Sequence, residues 1–232
     1  MLEIPPILTI QRTIDRPDAK QVAKLAGALT GNIADCLGGR ASLDPAIKPL
    51  ADSPESMRRV VGVALTCYNA PSDQLGAMAA LAQSQAGDVI VAATEGCTAT
   101  AVMGDLMLGM ARNRGVLGLV TDGAVRDLGG VFKAGLPVFC AGVNPDSPSR
   151  TGPGSVGLPV NIGGREVHSG DIVVADNDGV VIIPRGKLDG VIEKLKEVLA
   201  AEADMEAKVE GGLKMPDSWN DIFNSDQVRF LE

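Results

Sequence analysis

Two aspartates and one arginine mark the stretch of this chain that could do chemistry. Asp105 is followed, after twenty intervening residues, by the adjacent pair Arg126 and Asp127. If the fold brings them together, the two acids and the cation form a site at which an anionic ligand could bind. The same residue types are also typical of a helix-capping aspartate beside a surface salt bridge, so spacing alone leaves both interpretations open.

The neighbouring elements predict that these three residues do meet. Residues 88–93 and 116–121 are short apolar runs typical of buried parallel strands. Between them, apolar residues recur every three or four positions, which predicts a helix ending at Gly115. A right-handed crossover would place Asp105 at the helix start and Arg126 just past the second strand. Ligands bind at that edge of open α/β sheets, and a helix N-terminus offers N–H groups to an anion.

Composition narrows the class of protein. The 232 residues include 45% hydrophobic but only 3% aromatic side chains, which favours one domain, 1–232, with an aliphatic core. A net charge of −8 argues against a nucleic-acid surface. No apolar run is long enough for a membrane span, and no secretory signal is visible. Four cysteines without C-x-x-C spacing favour a reduced, cytoplasmic protein.

The remaining elements follow from caps, periodicity and turn residues. We expect helices over 19–29 (capped by Asp18), 30–39, 74–87 and about 188–209, strands over 58–67 and 136–142, and a hairpin of 171–175 and 180–183 around the DNDG turn.

The last of these helices contains a carboxylate in an unexpected position. At about 100° per residue, Glu202 falls within the apolar stripe that begins at Leu188. An ionised carboxylate is costly in an apolar contact unless it is paired or meets a metal. Either the helix leaves the core before Glu202, or Glu202 points into a site, including one on a neighbouring subunit.

The Asp-x20-Arg-Asp pattern, with GDL at its head and DGAVRD at its tail, resembles a known family. These are the class II pyruvate aldolases acting on 4-hydroxy-4-methyl-2-oxoglutarate and 4-carboxy-4-hydroxy-2-oxoadipate, which share their fold with the regulator of ribonuclease activity A. The similarity covers nearly the whole chain, including IADCLG, LDPAIKPL, VGVALT, GDVIV and VHSGDIVVADNDGVVIIP. It implies an α/β fold of the swivelling β/β/α type, with a parallel βαβ core, a late β-hairpin and a C-terminal helix, assembled into homotrimers or homohexamers.

The resemblance also implies roles for the three charged residues. Asp127 would be the direct ligand of a Mg²⁺ or Mn²⁺ whose other positions hold water, as is usual for Mg²⁺. Arg126 would bind the keto oxygen of the substrate and stabilise the pyruvate enolate. Asp105 would be catalytic as well, by positioning a water for proton exchange with the enolate.

Further residues are implied for substrate and metal. The helix start around Gly104, with the N–H groups of Leu106 and Met107, would hold the pyruvyl carboxylate. Asp35 and Glu202 of an adjacent subunit would reach the water shell of the metal. The glutamate was also singled out by its place in the apolar stripe, whereas Asp35 rests on the motif match alone.

The implied activity is retro-aldol cleavage of a 4-hydroxy-2-oxo acid to pyruvate and a second oxo-acid. Oxaloacetate decarboxylation would be a side activity, because loss of CO₂ also leaves pyruvate enolate. The alternative is a non-catalytic protein that binds and regulates an RNA-degrading endonuclease, since fold does not fix function. An intact Asp105, Arg126 and Asp127 set is needed for the lyase and not for the regulator.

Two features depart from the family pattern or stay open. Many relatives carry an acidic residue three positions after the metal-binding aspartate, where this chain has Gly130. A second substrate carboxylate could be bound by Arg12, Arg150 or Arg165, and the sequence does not choose among them.

Other chemistries find little support. His168, the single histidine, sits at a turn and is interpreted as a surface residue, which argues against a Ser-His-Asp triad or a His-rich zinc site. Cys97 has no basic partner in sequence and is interpreted as a bystander. No G-x-G-x-x-G follows a strand, which counts against a Rossmann-type enzyme.

Overall fold

A computed structural model describes residues 6–231 of the chain. Its strands, in chain order, are β1 Leu8–Ile10, β2 Lys48–Pro49, β3 Val60–Asn69, β4 Asp88–Ala93, β5 Ala101–Met103, β6 Gly118–Thr121, β7 Ala124–Val125, β8 Val138–Cys140, β9 Gly142–Val143, β10 Gly154–Val156, β11 Val160–Ile162, β12 Arg165–Val167, β13 Ile172–Asp176 and β14 Gly179–Ile183. Its helices are α1 Ala19–Val22, α2 Thr30–Cys36, α3 Leu75–Gln83, α4 Asp105–Asn113, α5 Leu128–Ala134, α6 Leu188–Glu210 and α7 Asp217–Phe223.

Four parallel strands form the centre of the main sheet, in the order β3, β4, β6 and β8. One edge is closed by β2, which runs antiparallel to β8. Along the other edge, the long β3 pairs with β10 near its C-terminal end and with β13 near its N-terminal end. The hairpin of β13 and β14 turns at residues 176–179. The predicted parallel core, late hairpin and C-terminal helix are therefore confirmed.

A second, smaller sheet orders the site. It contains β5, β7 and β9, all parallel. Each of these short strands follows one of the main parallel strands along the chain: β5 follows β4, β7 follows β6, and β9 follows β8. Because β5, β7 and β9 are parallel neighbours, the segments that follow their carboxyl ends begin next to one another. The sequence patterns did not predict this sheet, whose strands are only two or three residues long.

Apolar side chains cover both faces of the main sheet, as expected for parallel strands without polar alternation. In β4, Ile90 and Ala92 face a core that includes residues of α3, α4 and α5. Val89, Val91 and Ala93 face the opposite core, with residues from β11, β12 and the hairpin. The parallel strands are therefore packed tightly on both faces.

A third core, on the hairpin, holds the helices α1, α2 and α6. Asp18 caps α1 as predicted, since its carboxylate accepts a hydrogen bond of 2.8 Å from the Lys20 N–H. The helix is shorter than the expected 19–29: it ends at Val22, a 3₁₀ turn continues to Leu25, and Gly27 adopts a positive φ of 82°. A left-handed residue cannot continue a right-handed helix.

The C-terminal helix α6 leaves the core partway along its length. Leu188, Val191, Ile192 and Leu195 are buried, but Leu199 and every residue from 201 to 210 are exposed. Of the two interpretations of Glu202, the first is therefore what this chain shows: the helix leaves the core before Glu202. A role for Glu202 in a site on a neighbouring subunit stays a prediction. Within residues 6–231, no helix has the length and apolarity needed to cross a bilayer.

Candidate functional site

A pocket of about 240 Å³ opens where β5, β7 and β9 end. The chain after β5 supplies Gly104 and Asp105, and the chain after β7 supplies Arg126 and Asp127. All four residues line the pocket. The sequence prediction that the acid, the cation and the second acid converge is thus correct, although Arg126 and Asp127 follow β7 rather than β6. The carboxyl ends of parallel strands meet at one edge, which explains the convergence.

Asp127 has an unusual backbone. Its φ of 63° and ψ of 48° lie in the left-handed region, and it directly precedes α5. The side chain of Asp127 is half exposed, so its carboxylate is available to a ligand. A Cβ built on Gly104 would lie 2.8 Å from Asp127 Oδ2. Only glycine at position 104 therefore lets the carboxylate rest against the start of α4.

Arg126 is held from two sides. Its Nε lies 3.3 Å from Asp127 Oδ2, and its Nη1 donates a 2.6 Å hydrogen bond to Ser147 Oγ. The surface salt bridge considered from the sequence is therefore present. These two contacts do not use all the donors of the guanidinium, which has five N–H groups in a fixed geometry. Arg126 can thus bind an incoming oxygen anion while Asp127 and Ser147 orient it.

Asp105 is the first residue of α4, and its Oδ1 accepts a 2.7 Å hydrogen bond from the Leu106 N–H. The packing explains why residue 130 is glycine. A Cβ added to Gly130 would lie 2.6 Å from Asp105 Cγ and closer still to Oδ2. Gly130 therefore fixes where Asp105 can sit, and an acidic side chain at this position would displace it.

The start of α4 offers N–H groups to an anion. Its first α-helical hydrogen bond runs from Leu108 N to the Gly104 carbonyl, so the N–H groups before Leu108 lack an acceptor of that kind. Asp105 takes the Leu106 N–H, and the Met107 N–H remains for a ligand. Leu106 itself is 74% exposed, and Met107 lines the pocket. The face of α4 that packs into the core carries Leu108 and Ala111.

Of the three arginines left open by the sequence, Arg150 lines this pocket. Arg165 lies elsewhere, with its Nε donating 2.7 Å to the Ser42 carbonyl, and Arg12 lies on the exposed segment after β1. The pocket also includes Gln74, which sequence reasoning did not nominate. Gln74 directly precedes α3, about fifty positions before Arg126, and no local pattern reveals that the two line one pocket.

A loop of residues 144–152, here called the site loop, connects these parts. Asn144 Nδ2 anchors its start on the carbonyls of Thr98 and Ala99, at 2.9 and 3.1 Å. Ser147, in its middle, contacts Arg126. The end of the loop, from residue 149 to 152, is held by Asp73.

Asp73 is 3% exposed and holds the end of the site loop in place through hydrogen bonds. Its Oδ2 accepts hydrogen bonds from the Ser149 hydroxyl at 2.6 Å, the Thr151 N–H at 2.7 Å and the Gly152 N–H at 3.0 Å. Burial acts to raise the pKa of Asp73, but these bonds and one from the Leu75 N–H outweigh it, so the pKa lies below its ordinary value. The carboxylate is therefore ionised and fully engaged at neutral pH.

Asp35 and Glu202 lie together, but not in the Asp127 pocket. They line a separate depression of about 550 Å³ between α2 and α6 that shares no lining residue with the first. Both are exposed, and Glu202 Oε2 accepts a hydrogen bond from Asn32 Nδ2. The structure thus brings these two acids to each other and leaves them apart from Asp105, Arg126 and Asp127 of the same chain.

The donor set suits a hard, hydrated cation. One half-exposed carboxylate with room for water fits Mg²⁺ or Mn²⁺, which prefer oxygen ligands. In the part of the chain that the structure describes, no three His, Cys, Asp or Glu side chains form a cluster that could hold a metal. A cation at Asp127 would therefore have a single carboxylate of this chain as its direct ligand.

His168 and Cys97 lie outside the pocket. His168 is exposed, and its Nε2 lies 2.8 Å from Glu166 Oε1 at the surface, as the sequence predicted. Cys97 is half-buried, with its sulfur 3.6 Å from Ser72 Oγ. Although burial raises the pKa of Cys97, hydrogen bonds from nearby backbone and from Ser72 lower it overall. Neither residue lines the Asp127 pocket.

Comparison with known proteins gives both sequence and structural relatives. The sequence model of the RraA-like group described as Aldolase/RraA matches residues 30–182. A protein of Halalkalibacterium halodurans that carries the name "Putative 4-hydroxy-4-methyl-2-oxoglutarate aldolase" is 38% identical over 176 residues, covering 76% of this chain and 80% of the relative.

Two solved structures extend the likeness to the fold. The chain superposes on Streptomyces coelicolor RraAS2, described as an unusual member of the RNase ES inhibitor RraA family, with a TM-score of 0.74, 29% identity, and coverage of 83% of this chain and 98% of that one. The RNA-processing inhibitor RraA from Thermus thermophilis gives a TM-score of 0.61 at 25% identity, covering 68% of this chain and 93% of that one.

Proposed function

The chain belongs to the RraA-like aldolase/RraA family, and from that premise we propose that it is a divalent-metal-dependent lyase. It would cleave a 4-hydroxy-2-oxo acid to pyruvate and a second oxo-acid. The observation that carries this proposal is the convergence of Asp105, Arg126 and Asp127 on one pocket beside the open start of α4. The name of the Halalkalibacterium halodurans relative supports the lyase class.

Two parts of the pocket would bind the substrate: the start of α4 and the guanidinium of Arg126. The pyruvyl carboxylate would approach the start of α4 beside Gly104. There the Met107 N–H would donate to it, and Asp105 would release the Leu106 N–H. The 2-oxo group would meet the guanidinium of Arg126, which Ser147 and Asp127 already orient. A preoriented donor stabilises developing charge without reorganising during the reaction.

The metal belongs at Asp127. A Mg²⁺ or Mn²⁺ held by this carboxylate would act as a Lewis acid on the 2-oxo group when bound. Asp35 and Glu202 of an adjacent subunit are the carboxylates proposed to reach its water shell, which requires self-association into a trimer or hexamer. Their exposure and their distance from the other acids of their own chain fit such a shared site.

The bond that breaks lies between C3 and C4 of the substrate. Its electron pair passes into the pyruvyl unit and leaves an enolate, whose oxygen charge Arg126 stabilises. The C4 hydroxyl loses its proton to a water held by Asp105 and becomes the oxo group of the second product. C3 then takes up a proton from water at the same carboxylate, which completes pyruvate. No oxidant or reductant is required.

The same enolate explains a proposed side activity on oxaloacetate. There, the bond to the departing carboxylate breaks, CO₂ is released, and the electron pair again remains as pyruvate enolate. Arg126 and Asp105 would keep the same tasks, since only the leaving group differs.

The deciding experiment measures pyruvate release from 4-hydroxy-4-methyl-2-oxoglutarate and from oxaloacetate, each with Mg²⁺ and with chelator. Arg126→Ala should lower kcat for both at least about 100-fold, as expected for a group that stabilises transition-state charge. Arg112→Ala is the matched control, because Arg112 is exposed near the other end of α4. No metal-dependent turnover by the folded wild type would refute the lyase.

The second candidate is a binding protein that inhibits an RNA-degrading endonuclease. It is favoured by the likeness to the two RraA structures. Such an inhibitor needs no Asp105, Arg126 and Asp127 set, so endonuclease inhibition that survives Arg126→Ala, together with absent turnover, would favour it. The intact set in one pocket is why we rank the lyase first.

A further inference from the structure

Within residues 6–231, Ser147 is the polar group that lies closest to the Arg126 guanidinium. The distance from Arg126 Nη1 to Ser147 Oγ is 2.6 Å, whereas the distance from Arg126 Nε to Asp127 Oδ2 is 3.3 Å. Charged pairs that share a hydrogen bond usually lie about 2.7–2.9 Å apart, so the contact with Asp127 is loose. The serine hydroxyl is therefore the group that chiefly fixes where the guanidinium lies.

Two proline rings restrict the backbone around Ser147. Pro148 follows it directly, and Pro145 lies two positions before it. A residue that precedes proline is confined mainly to extended conformations, and each proline ring fixes its own φ near about −65°. Ser147 therefore has little backbone freedom to lose when its hydroxyl accepts the hydrogen bond from the guanidinium.

The site loop is also tied to the small sheet beneath the pocket. The Asn144 N–H donates a 3.0 Å hydrogen bond to the Val125 carbonyl in β7. The Ala101 N–H, at the start of β5, donates a 3.0 Å hydrogen bond to the Asp146 carbonyl, one residue before Ser147. Ser147 is thus attached to the sheet through backbone hydrogen bonds that use no side chain of the pocket.

Arg126 and a divalent cation would compete for the carboxylate of Asp127. A cation bound there would use the lone pairs that the guanidinium now faces, and two positive charges repel each other at short range. A guanidinium held by Asp127 alone would therefore hinder the cation or be displaced by it. Ser147 instead offers a neutral acceptor, for which a cation at Asp127 does not compete.

We infer that Ser147 is a positioning residue, which holds the Arg126 guanidinium for the 2-oxo group and keeps it from closing onto Asp127. The carboxylate of Asp127 then stays available to Mg²⁺ or Mn²⁺. This inference rests on the proposed function and adds to it how one site accommodates two cationic groups side by side. Without the hydroxyl, Arg126 would pair more closely with Asp127, the cation would bind more weakly, and the enolate would meet a less well oriented donor.

The first test measures metal affinity without substrate, by calorimetric titration of the folded protein with Mn²⁺. Ser147→Ala should raise the Kd about 2- to 5-fold, which corresponds to the strength of an exposed ion pair between Arg126 and Asp127. Ser147→Thr keeps a hydroxyl and should keep the wild-type Kd. Ser56→Ala, at an exposed serine outside the pocket, is the matched control and should also leave the Kd unchanged.

An Arg126→Ala background shows whether Ser147 acts through the guanidinium. In that background Ser147→Ala should leave the Kd of Mn²⁺ unchanged, because no guanidinium remains to be held. The same rise in Kd with and without Arg126 would overturn the inference, since Ser147 would then act on the cation by another route. A wild-type Kd in the Ser147→Ala single variant would overturn it as well.

Pyruvate release at saturating Mg²⁺ tests the orientation of Arg126. Ser147→Ala should lower kcat about 10-fold and leave KM within about 3-fold, because Arg126 acts mainly on charge that develops in the transition state. Ser147→Thr should recover most of the lost kcat. If Ser147→Thr were as impaired as Ser147→Ala, or if KM rose in place of the fall in kcat, the positioning role would be refuted.

Failure of the lyase proposal remains distinguishable from failure of this one. A wild type that binds Mn²⁺ but cleaves neither 4-hydroxy-4-methyl-2-oxoglutarate nor oxaloacetate would refute the lyase, and the metal titrations would still decide the role of Ser147. Turnover by the wild type, with the same kcat and Kd in Ser147→Ala, would refute only the role of Ser147. A wild type without affinity for Mn²⁺ or Mg²⁺ would refute both.

Discussion

At Asp127 the backbone conformation and the proposed metal ligand coincide. Left-handed φ values are uncommon outside glycine but are tolerated by aspartate and asparagine. Such a residue persists because the surrounding structure determines it, here the turn between β7 and α5. The backbone therefore directs the carboxylate towards the pocket, and the contact with Arg126 adds to this.

Asp127→Asn separates the two properties. Asparagine keeps the left-handed backbone, so the free energy of unfolding should change by less than about 0.5 kcal/mol. Removal of the charge should abolish Mg²⁺-dependent pyruvate release. Thermal unfolding and activity measured on the same preparation check this; a large drop in Tm would show that the carboxylate is needed for folding.

Gly130→Ala, a substitution in α5, should impair catalysis by displacing Asp105 at the start of α4. The added Cβ would overlap Asp105, whose side chain must then move away from the pocket. A misplacement of about 1 Å can cost about 100-fold in rate, so we expect kcat to fall between about 10- and 100-fold. Gly129→Ala is the control, because a Cβ there meets nothing within 4 Å. Equal activities of the two variants would contradict the contact.

Asp73 predicts a pH dependence of stability. Its folded-state pKa lies below the ordinary value of 3.8, so the ionised group stabilises the fold above that value. The stabilisation is lost as the pH falls through the folded-state pKa. The difference in free energy of unfolding between the wild type and Asp73→Asn, about 2 kcal/mol at neutral pH, should therefore shrink below pH 3.8. Denaturant titrations at several pH values measure it; a difference independent of pH would contradict it.

The charged residues of the site were predictable from sequence only where they lie close in the chain. Asp105, Arg126 and Asp127 belong to one strand–helix–strand segment, whose topology limits where they can be. Arg150 was one of three open choices, and Gln74 was missed. Arg150 and Gln74 reach the same pocket because Asp73 forms hydrogen bonds with residues 149–152. This contact joins segments that are distant in sequence, so no periodic pattern predicts it.

Among the elements, periodicity predicted the longer helices and the buried strands, which bury whole faces. It did not predict β5, β7 and β9, because two- or three-residue strands contain too few positions to show a pattern. It also did not indicate that Leu106 would be exposed, since a helix lying at the mouth of a pocket need not bury every apolar residue. The terminal half of α6 is a similar case.

The pairing of α2 with α6 gives Glu202 a testable role at this scale. Glu202→Gln keeps the size of the side chain, and its amide can still pair with Asn32. We expect unchanged stability but a fall of about 10-fold or more in Mg²⁺ affinity and activity, as for other groups that hold metal-bound water. Glu206→Gln, one turn later and exposed, is the control. Unchanged metal affinity and activity would remove Glu202 from the site.

For the whole molecule, we propose that exposed apolar side chains serve self-association. They include Leu199, Met205, Val209, Trp219, Ile222 and Phe223 along α6 and α7. Exposed apolar side chains grouped on neighbouring helices are typical of a contact with another subunit. Symmetric assembly could bring the Asp35 and Glu202 depression of one copy against the Asp127 pocket of the next.

The Asp127 pocket and the Asp35 and Glu202 depression lie apart in one chain, which has a genetic consequence. If each working centre combines the Arg126 of one copy with the Glu202 of another, two impaired variants should rescue each other. Arg126→Ala and Glu202→Gln subunits, unfolded and reassembled together in equal amounts, should form centres with both wild-type residues in about a quarter of cases. Activity in the mixture, and in cells that express both alleles, would then exceed that of either parent. A mixture no more active than the average of its parents would mean that every copy works alone.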